Sequence, residues 1–325
     1  ILYSWGVGAP GLVSPEEPYL NADFGNATAM VAGELAEDGS ATSHMLLGYE
    51  DASYRARINF WDIEDVDFGS DSVVTKSVPD PDNGSNPMVM TLSSSLHNLG
   101  LSLWNQDGAV SYRSIFVGNY HGGVGHIKNG PADGSAILRS DNFSVLKTGA
   151  DANNTYEDIF LDSGDRYSSI AFGDLDGDGD SDAVTLGYAG RFRLYWNQGL
   201  PGGAPDFVRQ TDSAFDVITI ANRNPYFTLY DMDGDSDLDL MIAYPDGVVV
   251  LWWNVGSFSA PAFSSANKQT MNDIVVHDNG SLYTAVIQAA DVDGDGWFDI
   301  TSGDGKGGAN VWINDAANDT DAPTA

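Results

Sequence analysis

Hydrophobic positions in this chain fall in short runs rich in β-branched and aromatic residues, separated by clusters of Asp, Gly, Asn and Ser. Ser169-Ile170-Ala171-Phe172, Ala183-Val184-Thr185-Leu186, Tyr226-Phe227-Thr228-Leu229-Tyr230 and Leu240-Met241-Ile242-Ala243 are such runs, and each is bounded by turn-forming residues. This punctuation predicts strands joined by tight loops. A second set carries Trp near the end: Leu194-Tyr195-Trp196-Asn197, Leu251-Trp252-Trp253-Asn254 and Val311-Trp312-Ile313-Asn314. No heptad pattern appears, and no apolar run approaches the roughly 18 residues of a membrane-spanning helix. The pattern predicts an all-β domain without membrane insertion.

The runs repeat. Acidic loops start at Asp174, Asp231 and Asp291, 57 and 60 residues apart, and Asn197, Asn254 and Asn314 each follow their loop start by 23 residues. The unit reads strand, acidic loop, strand, turn, aromatic strand, and a longer connection that can hold a fourth strand. A period of this size built from strands alone predicts the blades of a β-propeller. Weaker copies lie upstream. One runs from Glu34-Leu35-Ala36-Glu37-Asp38-Gly39-Ser40 to Ile58-Asn59-Phe60-Trp61-Asp62. A second begins at Asp80-Pro81-Asp82-Asn83-Gly84-Ser85-Asn86 and continues through Met88-Val89-Met90-Thr91 to Leu101-Ser102-Leu103-Trp104-Asn105. A third has Asn119-Tyr120-His121-Gly122-Gly123 in the loop position and Asn142 at the far end.

These units predict one domain over 1–315 with six blades, or seven as the alternative. Residues 9–164 would form degenerate blades, 165–315 the three blades with acidic loops between first and second strands, and 316–325 a polar tail or linker. A free sheet edge exposes unpaired backbone groups, so residues 1–8, with Leu2-Tyr3-Ser4-Trp5-Gly6-Val7, are expected to supply a closing strand. The chain begins at Ile1, which suggests a processed or excised fragment.

The loops carry the chemistry. Their sequences are Asp174-Leu175-Asp176-Gly177-Asp178-Gly179-Asp180-Ser181-Asp182, Asp231-Met232-Asp233-Gly234-Asp235-Ser236-Asp237-Leu238-Asp239 and Asp291-Val292-Asp293-Gly294-Asp295-Gly296-Trp297-Phe298-Asp299. Carboxylates at positions 1, 3, 5 and 9 crowd negative charge into one turn, a costly arrangement unless a cation sits inside. Hard oxygen donors on a flexible loop suit Ca²⁺. Three calcium sites are expected, with the carbonyls of Asp180, Asp237 and Trp297 at position 7 as further donors. An EF-hand has its glycine at position 6 and a bidentate Glu at position 12, whereas Thr185, Ile242 and Ser302 stand at position 12 here.

Composition narrows the function classes. Fourteen basic residues against 47 acidic ones give a formal charge of −33, which three Ca²⁺ ions would reduce only slightly. Such a surface repels nucleic acid and anionic membrane. The absence of cysteine excludes disulfides, thiolate metal sites and cysteine nucleophiles. Weak calcium modules fill at extracellular calcium levels, so an extracellular location, secreted or cell-surface, is expected.

Trp61, Trp104, Trp196, Trp252, Trp253 and Trp312 recur at blade ends and are expected to pack between sheets. Trp5, Trp252 and Trp297 break the register, which makes them candidates for exposure. Histidines such as His121 and His126 lack the companions a metal site needs. No nucleophile elbow, zinc-protease helix or phosphate loop is present. Tyr54, Arg55, Arg57, Tyr112, Arg113 and His121 are the residues from which a central-channel patch could be built.

At the three acidic loops and the strands trailing them, the sequence resembles the FG-GAP and VCBS repeats of integrin-α-like propellers. The family's Asp-x-Asp-Gly-Asp-Gly-x-x-Asp is matched by Asp174–Asp182 and Asp291–Asp299, and the middle loop has Ser236 at the sixth place. The resemblance implies a calcium-bearing propeller from a cell-surface or secreted protein, acting in adhesion or in glycan or protein recognition. Alternatives are a propeller of, or accessory to, a secreted polysaccharide lyase or hydrolase, and a self-associating subunit of an extracellular assembly.

Overall fold

The structure, a computed structural model, describes the backbone of the strands named below and most of residues 169–199, 206–220 and 226–271. Ahead of residue 159, side chains are described only at Leu46, Arg57, Ile58, Phe60, Ile115 and Phe116.

Every sheet is antiparallel. Two N-terminal strands, β1 (Leu2–Trp5) and β2 (Ala9–Val13), precede a first sheet of β3 (Asn26–Gly33), β4 (Ser43–Glu50), β5 (Ala56–Asp67) and β6 (Ser72–Ser77). A two-residue ladder joins β7 (Pro79–Asp80) to β8 (Asn86–Pro87), and β9 (Val89–Thr91) pairs with β5. The second sheet is β10 (Gly100–Trp104), β11 (Ser114–Gly118), β12 (Val124–Asn129) and β13 (Phe143–Thr148). The third is β14 (Ser169–Gly173), β15 (Asp182–Leu186), β16 (Phe192–Asn197) and β17 (Phe207–Arg209). The fourth is β18 (Tyr226–Tyr230), β19 (Asp239–Ala243), β20 (Val249–Trp252) and β21 (Lys268–Met271). The fifth joins β22 (Val286–Ala290), β23 (Asp299–Gly303) and β24 (Ala309–Asn314) to β2 and β1.

First strands lie side by side: β3 contacts β10, β10 contacts β14, β14 contacts β18, β18 contacts β22, and β22 contacts β3. Between β18 and β22, Gln288 Nε2 donates to Thr228 Oγ1 at 2.8 Å. Strand β15 is buried at every position, as is β19. Their sequences are accordingly apolar on both faces, as expected of strands covered on both sides.

Alternate residues serve different cores. Val184, Leu186, Leu194 and Phe192 pack with Phe227, Leu240, Ile242 and Trp252 between the third and fourth sheets. Ala183 and Tyr195 face Phe116 of the second sheet. Met241 and Leu251 meet Ile287, Ile300 and Trp312 of the fifth. Each large side chain so buried contributes about 1.5–3 kcal/mol.

Three expectations are corrected. The unit placed at Asp80–Asn105 forms no four-stranded sheet among the described residues, only the two-residue β7–β8 ladder. Val89–Thr91 instead extends the first sheet along Arg57–Asn59 of the long β5, and Leu101–Trp104 opens the second sheet. An aromatic run fits a first strand as well as a third, so the motif alone does not fix its place. Asn119–Gly123, expected at a loop position, lies outside the described residues. The N-terminal closure uses Leu12 and Val13 of β2 against Asn314 and Ile313, with β1 outside it, rather than residues 1–8 directly. Trp252, expected to pack between sheets but also named as a candidate for exposure, is 5% exposed in the core between the third and fourth sheets, with Lys268 Nζ 5.4 Å from its ring centroid.

Candidate metal centre

The acidic loops link first to second strands in the third, fourth and fifth sheets. Their closing register is the same throughout: Gly173 pairs with Asp182, Tyr230 with Asp239, and Ala290 with Asp299. The residue before position 1 thus always faces position 9. Residues 291–297, including Asp291, Asp293, Asp295 and Trp297, lie outside the described residues, while Asp299 is fully buried at the start of β23.

The first two loops share one hydrogen-bond plan. Asp174 accepts from Gly177 N at 2.7 Å and Gly179 N at 3.0 Å; Asp231 accepts from Gly234 N at 2.8 Å and Ser236 N at 3.0 Å. Position 3 accepts from the amide of position 5, Asp178 or Asp235. Position 5 in turn accepts from the amide of Asp180 or Asp237. The loop can curl this tightly because position 4 takes a left-handed backbone, φ 77° at Gly177 and 79° at Gly234. Glycine adopts that conformation without steric cost.

Position 9 ties the loop to the sheet. Asp182 Oδ2 accepts from Leu175 N at 2.8 Å and Oδ1 from Asn197 N at 2.9 Å; Asp239 repeats this with Met232 N at 3.0 Å and Asn254 N at 2.8 Å. The Asn side chains extend the tie. Asn197 Oδ1 accepts from Gly199 N and Asp206 N, and Asn254 Oδ1 from Gly256 N and Ala262 N. Their fixed distance behind each loop start is therefore structural: the Asn holds the turn after the third strand and donates to the loop's last carboxylate.

One carboxylate oxygen from each of Asp174, Asp176 and Asp182 lies within 4.8 Å of the others, and Asp231, Asp233 and Asp239 form the same trio. Oxygens bound to one Ca²⁺ at about 2.4 Å can be up to about 4.8 Å apart, so either trio fits a single ion. Position 7 strengthens the fit. Asp180 Oδ1 and Asp237 Oδ1 are buried without a hydrogen-bond partner, and Asp237 is only 4% exposed. Sequence reasoning assigned position 7 through its carbonyl and missed this side-chain oxygen, which nothing in the spacing distinguishes. Asp178, Asp180, Asp235 and Asp237 all stand outside the trios, and of these Asp178 and Asp235 are exposed.

The charge state reports the same crowding. Burial pushes the Asp182 carboxyl up to about 7 and that of Asp239 up to about 8, against the lowering effect of their backbone bonds. Burial, followed by the charges of Asp178 and Asp235, raises Asp180 and Asp237 to about 6. Asp176 and Asp233 are raised as well, burial first. Loops that resist ionisation in this way suit a bound cation, which reverses the effect.

Among the described residues no helix is long and apolar enough to cross a membrane. Comparison with curated protein sequences finds no match. Two solved structures align along most of their length at low similarity. One is BBS1N in complex with ARL6DN, soaked with lead, at 10% identity over 95% of this chain and 97% of that one, with a TM-score of 0.40. The other is AofleA from Arthrobotrys oligospora, at 9% identity over 90% of this chain and 85% of that one, with a TM-score of 0.42. Residues 231–302 match the family model described as FG-GAP-like repeat, so the chain carries an FG-GAP-like repeat running from the second acidic loop through the third and into β23.

Proposed function

We propose that the chain is a five-bladed β-propeller in which Ca²⁺ orders the acidic loops, and that it works outside the cell as a rigid recognition module for a glycan or a surface protein. Five multi-stranded sheets among the described residues, with first strands in contact from each to the next, support five blades in place of the six, or seven, expected from the repeats. The observation that carries the calcium reading is the repeated trio of carboxylates accompanied by a buried, unpartnered oxygen at position 7. Asp174, Asp176, Asp180 and Asp182 hold the first ion, with Asp178 at its rim. Asp231, Asp233, Asp237 and Asp239 hold the second, with Asp235 at its rim. Asp291, Asp293, Asp295, the Trp297 carbonyl and Asp299 provide the third.

Calcium is then a folding device. An ion that binds only the folded chain stabilises it by about 2.7 kcal/mol at a hundredfold excess over its dissociation constant. The test is titration calorimetry with calcium alongside melts in calcium and in EGTA. About three ions per chain and a clear upward shift of the melt are expected; an unchanged melt refutes the role.

A further inference from the structure

The chain leaves the third strand of the fourth sheet through a short hairpin that reaches across to the neighbouring sheet. Val255 N donates to Ala262 O at 2.9 Å, Ser257 N to Ala260 O at 3.2 Å, and Ala260 N to Ser257 O at 2.9 Å. Phe258, at its tip, is 46% exposed, yet one edge of the ring lies against the first acidic loop. A Cβ on Gly177 would come within 3.0 Å of Phe258 Cδ1 and 2.9 Å of Ser259 Cβ. We infer that this hairpin, residues 255–262, couples the first and second acidic loops, so that Ca²⁺ bound at either one raises the affinity of the other. The inference deepens the calcium reading and rests on it.

The feet of the hairpin belong to the second loop. Asn254 Oδ1 accepts from Gly256 N at 3.1 Å and from Ala262 N at 2.8 Å, and Asn254 N donates to Asp239 Oδ1 at 2.8 Å. Asp239 closes the second loop, where its trio with Asp231 and Asp233 is accompanied by the buried, unpartnered Asp237 Oδ1. The hairpin is closed tightly on itself: a Cβ on Gly256 would run into Ala260 O and come within 2.7 Å of Ala262 N. A second support runs beside it, since Leu238, directly before Asp239, fills the space next to Gly173. The first loop is thus braced at the residue before it and at its fourth position. Both braces flank Asp239 or hang from it.

Coupling follows from what an ion must order. Gathering the carboxylates of the first loop around a cation restricts the turn that carries them, and that restriction opposes binding. An ion at the second loop takes Asp239 as a ligand and so holds the carboxylate that anchors Asn254. The hairpin then moves less, and its tip keeps Gly177 in place. The first loop has less freedom left to lose when its own ion arrives. Linkage makes the effect reciprocal, with one factor acting in both directions. The Phe258 side chain offers no donor oxygen and acts as a positioning residue.

The test is calcium titration calorimetry of the full chain carrying Asp293→Asn, which removes the third site and leaves the first two to be read alone. Disabling the second site as well, with Asp233→Asn, should weaken the first by about fivefold or more relative to the two-site chain, and Asp176→Asn should weaken the second by the same factor. Phe258→Ala should cut that factor to about half or less, and Phe258→Tyr should retain it. Hydrogen exchange gives a reading that needs no hairpin variant. With Asp176→Asn in the same background, only the second loop takes an ion, and calcium should slow exchange at the amides of Val255, Gly256, Ala260 and Ala262. Equal affinities whether or not the other loop can bind, a coupling factor untouched by Phe258→Ala, or hairpin exchange unchanged by calcium would each overturn the inference while leaving the metal reading standing. A chain that takes up no calcium overturns both.

Discussion

Replacing Asp239 separates the two jobs assigned to position 9. Its carboxylate, 1% exposed, accepts from the amides of Met232 and Asn254 and belongs to the second acidic trio. Asp239→Ala leaves two buried N–H groups without acceptors, at about 1–3 kcal/mol each, or about 2–6 kcal/mol in all. That is a large share of the stability of a domain held by about 5–15 kcal/mol, and it corresponds to a melting drop of about 4–12 °C for a chain of this size. The loss should appear even in EGTA, because the tie is made by protein groups alone.

Asp239→Asn keeps one acceptor oxygen and removes the charge that burial disfavours. Its melt in EGTA should fall less than that of the alanine variant, yet the part of the calcium-induced rise that comes from this site should vanish. Scanning calorimetry of both variants, with and without calcium, reads the two effects independently. An alanine variant that melts like the parent in EGTA refutes the tie, and an asparagine variant with the full calcium shift refutes the ligand role.

Two further outcomes follow from the loops. Because Asp182 and Asp239 are raised to about 7 and about 8 from an ordinary value of 3.8, the calcium-free folded chain retains protons that the unfolded chain has released. Its stability should be fully present below about pH 4 and decline as pH rises toward 8. Calcium displaces those protons, so its stabilising shift should be larger at pH 8 than at pH 5, and a calcium-free melt that climbs across this range contradicts the reasoning. Ser236 occupies φ 76° where the first loop has Gly179 at φ 92°. Relief of about 1–2 kcal/mol of left-handed strain, less about 0.4–1 kcal/mol for the looser unfolded chain, makes Ser236→Gly stabilising by up to about 1.6 kcal/mol in urea titration. A lowered midpoint would exclude this.

Strand character and the acidic loops were legible because both rest on local rules, the alternation of burial and the repulsion of like charges. Asp174, Asp176 and Asp182, and their counterparts Asp231, Asp233 and Asp239, bring one carboxylate oxygen each within 4.8 Å of the others. The exposure of Asp178 and Asp235 was not legible, since four carboxylates at regular spacing look equivalent until the turn is built. The upstream sheets were misassigned because an aromatic strand carries no mark of its rank in a sheet.

Position 8 gives the loops a relation that the motif does not express. Leu238 in the second loop occupies the space a Cβ would need at Gly173, the residue directly before the first loop. Phe298 in the third loop packs 5.9 Å, ring to ring, from Tyr230, the residue directly before the second. A third contact crosses between the same sheets, since a Cβ on Gly177 would come within 2.9 Å of Ser259 Cβ and 3.0 Å of Phe258 Cδ1. The second and third loops therefore each rest the penultimate side chain on the strand end that feeds the preceding loop. An ion that fixes one loop also fixes part of the wall supporting the next, so stability delivered at one site is shared through packing with the neighbouring sheet. Such coupling is what adjacent sheets need at the ends of their first strands, where backbone hydrogen bonds stop and only loops and side chains hold the sheets in register.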